Sequence, residues 1–181
     1  MTIFEFLSVA ISIVLALTLG KLVAATPHVF SRDRRDPIHA GLFLVNCFVV
    51  LNIWWFVWSL NEKTSWNFLE FLILMGSPVT LYLAAHLLVS DIPGEVKSWR
   101  EHFSRVHRGY FTAILATAIF ANVRTMWVVG GEASLAVGFM VTGILFLPGI
   151  FSSRRSVHAI ILGLWFLFQV FAVSQLFTSD R

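Results

Sequence analysis

Six long apolar stretches occupy almost all of the 181 residues, and the polar segments between them are short. A helix needs roughly 20 consecutive apolar residues to cross the hydrocarbon core of a bilayer. These stretches read as six transmembrane helices joined by short polar loops. The spans are expected at 3–25, 38–60, 67–89, 108–129, 133–151 and 157–178. The fifth is short and carries Gly138, Gly143 and Pro148. The expected fold is therefore all-α: one polytopic transmembrane domain over residues 1–181.

Charge supports this. Only 13% of the residues are charged, against about a quarter in soluble domains. So few charges could not cover a water-facing surface. The net charge of +3 comes with no basic stripe, so no nucleic-acid partner is expected. Cys47 is the single cysteine, which excludes an intramolecular disulfide or a cysteine metal cluster. The segment Met1-Thr2-Ile3-Phe4-Glu5 has no basic side chain ahead of its apolar run, so the first helix is expected to be retained rather than cleaved as a signal.

The loops carry an orientation. Arg32, Arg34 and Arg35 lie in the first, Lys97, Arg100, Arg105 and Arg108 in the third, Arg154 and Arg155 in the fifth. The opposite side offers Lys63, Arg124 and Arg181. Nine cations against three place the odd-numbered loops in the cytoplasm and both termini outside. Trp54, Trp55, Trp58, Trp66 and Trp127 then fall near the outer boundary, where a tryptophan belt is expected. In the third loop Val96, Trp99, Phe103, Val106 and Tyr110 recur at steps of three and four. That spacing predicts an amphipathic helix at about 95–107, lying in the headgroup layer as a connector.

Each basic loop has the same grammar: a proline, then cations, then a histidine opening the returning helix. Pro27 leads to His39, Pro93 to His107, and Pro148 to His158. A remnant of three related hairpins would look like this, but these are ordinary loop residues at unequal spacings.

In the first helix Ser8, Ser12, Ala16, Gly20 and Ala24 follow at steps of four and form a ridge of small residues. Ser134, Gly138 and Thr142 repeat the pattern in the fifth. Such ridges let helix backbones approach closely, in the same chain or another. Pro78, preceded by Gly76 and Ser77, should kink the third helix.

Ionisable groups inside a span are costly and functional by default. Glu5, Glu70 and Arg124 lie toward the outer side, Lys21 and His86 toward the inner. Arg124, deepest at about 9 Å from its helix end, is expected to pair with Glu70 or Glu5. The midplane holds neutral groups: Asn46, Asn52, Ser77, Thr80, Thr117, Thr142 and Gln169. The lack of a midplane carboxylate or histidine relay argues against an ion-coupled pump. All six histidines fall on the inner side, and His39, His86 and His158 are the candidate axial ligands for a haem b or a metal.

No Gly-rich phosphate loop, Gly-x-Ser-x-Gly elbow or His-Glu-x-x-His occurs, so an enzyme is not the expected class. The chain resembles small bacterial inner-membrane proteins, and that resemblance carries no activity with it. Three functions are expected, in this order. The first is permeation or transport of a small solute by an oligomer, using Asn46, Asn52, Ser77, Pro78, Thr80 and Gln169. The second is an auxiliary subunit docked onto a larger membrane complex. The third is a haem-binding redox protein.

Overall fold

A computed structural model describes residues 2–128 and 133–178, with side chains undescribed at 133–136, 138, 139, 142 and 172–178. Ser134, Gly138 and Thr142, the ridge expected on the fifth helix, therefore lie outside the described side chains. The fold is all-helical. It comprises α1 (Ile3–Val29), α2 (Pro37–Trp58), α3 (Phe68–Leu88), a short 3-10 turn (Pro93–Glu95), α4 (Trp99–Val123), a π-helical turn (Arg124–Val128), α5 (Ala133–Phe151) and α6 (Arg155–Thr178). Among the described residues, α1 to α4 are long and apolar enough to cross a membrane. The 27 residues of α1 extend about 40 Å, more than the hydrocarbon thickness.

Local chemistry sets the helix starts. Thr2 and Glu5 form a reciprocal capping box on α1, and Asn67 and Glu70 form one on α3. Asp36 caps α2 by accepting from the His39 N–H at 3.0 Å, with Pro37 in the first turn. Ser98 caps α4.

That last cap corrects the expectation for the third loop. The amphipathic stretch is no separate helix; it is the first turns of α4, which runs unbroken from Trp99. Only Pro93–Glu95, in 3-10 geometry, precedes it. No breaker lies between Ser98 and the apolar run, so a single nucleus propagates through both. The apolar side of this stretch turns into the bundle: Trp99, Phe103 and Tyr110 are buried.

The most extensive interfaces are α3 on α4 and α4 on α5; α1 packs on α3 and α2, while α6 touches α5 and α2 more sparingly. Close approach is set by glycine. A Cβ on Gly76 would run into the Phe120 ring of α4, and one on Gly149 into Phe111. Pro78 is buried within a continuous α3, where the Thr80 hydroxyl donates to the carbonyls of Gly76 (2.7 Å) and Ser77 (3.2 Å). Outward faces are apolar. Trp54, Trp55, Trp58 and Trp127 project from one end of the bundle, opposite the arginine-bearing connections.

Candidate functional site

The arginine-bearing end gathers more side-chain chemistry than any other described part of the molecule. The starts of α2, α4 and α6 meet there and bring three histidines together, each from the opening turns of a different helix. His39, His107 and His158 are all buried. Phe103 lies between them, with ring centroids 6.3 Å from His39, 6.4 Å from His107 and 5.2 Å from His158. His107 and His158 are 5.3 Å apart, and His39 stacks on Trp99 at 4.6 Å.

Each of the three histidines bonds a backbone carbonyl, which can only accept, so the bonded ring nitrogen carries a hydrogen. His39 donates from Nε2 to the Leu88 carbonyl (2.9 Å), His107 from Nδ1 to Ser104 (2.8 Å) and His158 from Nε2 to Ser152 (2.9 Å). The other ring nitrogens of His39 and His107 are enclosed and have no hydrogen-bond partner among the described residues. His102 donates in the same way to Leu87.

The loops around this cluster are tied by their own cations. Arg155, at the start of α6, forms an ion pair with the buried Asp36 carboxylate at the start of α2. Arg34 donates to the carbonyls of Gly94 (2.7 Å) and Val96 (3.2 Å), joining the first loop to the third. The Trp99 indole donates to the His28 carbonyl at 2.8 Å. A pocket of about 160 Å³ opens beside the cluster, lined by Asp36, Ile38, Arg100, Phe103, Ser104, Ser153, Arg155 and His158.

His86 belongs to another group. Lys21 donates to Asp91 (2.6 Å) and to Nδ1 of His86 (2.8 Å), joining the end of α1 to the end of α3. In the connection beyond α3, the hydrogen bond and charge of Lys21 hold the exposed Asp91 carboxyl below its ordinary range. The three candidate haem ligands are thus split: His39 and His158 share the cluster, and His86 is engaged with Lys21 and Asp91. Among the described residues no group of three or more His, Cys, Asp or Glu side chains is arranged to hold a metal ion.

Among the residues expected at the midplane, Asn46 bonds to α4 at one place, and Ser77, Thr80 and Thr117 join α3 to α4 at another. Asn46 is fully buried; its amide donates to the Leu42 carbonyl and to the Tyr110 hydroxyl of α4, both at 2.8 Å. Thr117 of α4 donates to the Thr80 hydroxyl of α3 (2.9 Å), and Ser77 donates to the Thr117 carbonyl (3.4 Å). Asn52 bonds back to Phe48 within α2, and Gln169 is half-buried on α6. At the other end Arg124 is buried in the π-helical turn with its guanidinium 3.9 Å from the Phe56 ring centroid, a cation–π contact. Glu70 is taken by Lys63 (3.1 Å) and by its own helix cap, and Glu5 by the cap of α1; neither pairs with Arg124 among the described contacts.

The ridge on α1 turns outward. Leu7, Ile11, Leu15, Thr18, Leu22, Ala25 and Val29 form the buried face. Ser8 and Ser12 are half-buried, Ser12 accepting from the Trp54 indole of α2 (3.3 Å), while Ala16, Gly20 and Ala24 are exposed. A Cβ on Gly20 would meet nothing within 4 Å.

Sequence reasoning missed the convergence of His39, His107 and His158. The one available signal was their shared place at the start of each returning helix. It also missed Asp36 with Arg155, and Lys63 with Glu70. No family model, curated protein or solved structure matches the chain.

Proposed function

We propose that this is a six-span integral membrane subunit that works by association, its α1 ridge seated against a helix of another subunit, either a second copy or a larger membrane complex. The carrying observation is that Ala16, Gly20 and Ala24 lie on the exposed side of α1. A surface meant only for lipid gains nothing from small residues, whereas a helix partner gains close backbone approach. The proposed membrane is a bacterial inner membrane, with the arginine-bearing loops inside and both termini outside; nine inner cations against three support that orientation.

Permeation through a path shared between copies is the second reading. It draws on the half-buried Asn52 and Gln169 and the half-unsatisfied Asn46, whose carbonyl oxygen is enclosed without a described partner. A path within one chain has less support, because Asn46, Ser77, Thr80 and Thr117 already bond across and along α2, α3 and α4. Haem binding would have to work without His86.

Native mass spectrometry of protein extracted gently from its own membrane tests the main reading. Wild type is expected as an oligomer or bound to a larger partner, and Gly20→Leu as a folded single chain. Wild type released as a single chain, with solute flux when reconstituted alone, would overturn association as the function.

A further inference from the structure

We infer that the pocket between the starts of α2, α4 and α6 binds the phosphate group of an anionic phospholipid. Two arginines line it from different elements: Arg100 from the first turn of α4 and Arg155 from the start of α6. Two serines line it as well: Ser153 from the connection before α6, and Ser104 one turn along α4 from Arg100, whose hydroxyl donates to the Glu101 carbonyl (2.8 Å). The buried His158 and the Phe103 ring complete the lining.

The charge balance favours an anion. Asp36 is the one carboxylate lining the pocket, and its ion pair with Arg155 leaves Arg100 uncompensated there. That pair also fixes where Arg155 stands, so less ordering is needed when a ligand arrives. Guanidinium groups suit phosphate oxygens because their N–H donors match them in pairs. The size fits as well. About 160 Å³ lies below the roughly 300–1,000 Å³ of pockets that enclose whole small molecules. It admits a headgroup fragment, with the rest of the ligand left outside.

Phe151 points to lipid rather than free phosphate. It ends α5 two residues before Ser153, which lines the pocket, and is 79% exposed, so an apolar side chain faces outward close by in the chain. An acyl chain running along Phe151 while its phosphate sits between Arg100 and Arg155 satisfies both. This inference is independent of the α1 association reading, since it uses the opposite ends of other helices.

The test uses the whole purified protein in neutral detergent. Binding is measured by native mass spectrometry with phosphatidylglycerol, phosphatidylcholine or inorganic phosphate added. Wild type is expected to retain phosphatidylglycerol over phosphatidylcholine. Arg100→Gln is expected to weaken that retention roughly tenfold. Arg105→Gln, outside this pocket, is the control for general charge loss. Arg155→Gln is avoided because it would also strip Asp36 of its partner. Equal retention by wild type and Arg100→Gln would overturn the site. So would an equal loss in Arg105→Gln. Displacement of the lipid by inorganic phosphate, with no preference between the two lipids, would overturn the lipid assignment.

Discussion

Asn46 and Tyr110 form a polar contact between α2 and α4 with 0% exposure at both residues. Each buries a polar group, and for a chain in a membrane the bond between them is worth less than its burial suggests, because the unfolded chain there also finds partners. Tyr110→Phe and Asn46→Leu should therefore show a coupling of about 0.6 kcal/mol in a double-mutant cycle, measured by unfolding in mixed micelles. A coupling near zero would mean that the two groups are neighbours without a bond. The Lys21–Asp91 bond has an acid limit. Lys21 holds the Asp91 carboxyl below its ordinary range, so the folded state binds this proton less readily than the unfolded. Its contribution is present above the unfolded carboxylate pKa of about 3.9 and is lost as pH falls through the lower folded value. Carboxyl NMR should show Asp91 titrating below that reference, and Lys21→Met should return it upward. An unchanged Asp91 in Lys21→Met would separate the two groups. Arg124 shows where residue-level reading stopped: its depth was visible, but its contact with Phe56 depends on how α2 and α4 pack, and Lys63, seven residues before Glu70, had already claimed that carboxylate.

At the level of elements, packing rather than hydrophobicity separates glycines that look alike in the sequence. Gly76 faces the Phe120 ring across the α3–α4 interface, whereas Gly20 faces open space. Gly76→Ala should cost about 1–3 kcal/mol, as overpacking forces the ring aside, while Gly20→Ala should leave the unfolding of the single chain unharmed. Comparison of their unfolding midpoints in micelles checks this, and equal effects would deny the close approach at Gly76. The helix bodies were legible because long unbroken apolar runs read as helices: the stretch expected at 67–89 is the helix Phe68–Leu88, and that at 38–60 is Pro37–Trp58. The start of α4 was not. Hydropathy falls before residue 108, although the helix begins at Trp99 behind its Ser98 cap, because backbone hydrogen bonding does not require apolar side chains. The π-helical turn at Arg124–Val128 carries no sequence mark comparable to a proline. The histidine cluster was legible as three helix-opening residues but not as a cluster, since convergence of α2, α4 and α6 is a property of packing.

For the whole molecule, the two ends of the bundle differ in kind, and that asymmetry makes the orientation testable. One end presents Trp54, Trp55, Trp58 and Trp127 outward; the other carries the arginine connections, among them the Asp36–Arg155 pair and the Arg34 bonds to the third loop. Tryptophan suits either interface, so it does not choose a side. Cationic loops do, because translocating short ones is disfavoured, and eight arginines with Lys97 lie at one end. Not all of these cations are free to report it: Arg34 and Arg155 are held by bonds, whereas Arg32 and Arg154 are exposed without such roles among the described contacts. In a Cys47→Ser background, single cysteines at Arg32 and Arg154 should react with a membrane-impermeant maleimide only after the cells are opened. A cysteine at the exposed Glu62, in the loop between α2 and α3, should react in intact cells. Labelling of position 154 in intact cells would reverse the proposed orientation and move the phosphate pocket to the outer leaflet. The helix packing and the ridge on α1 would stand unchanged, because neither depends on which side the arginines face.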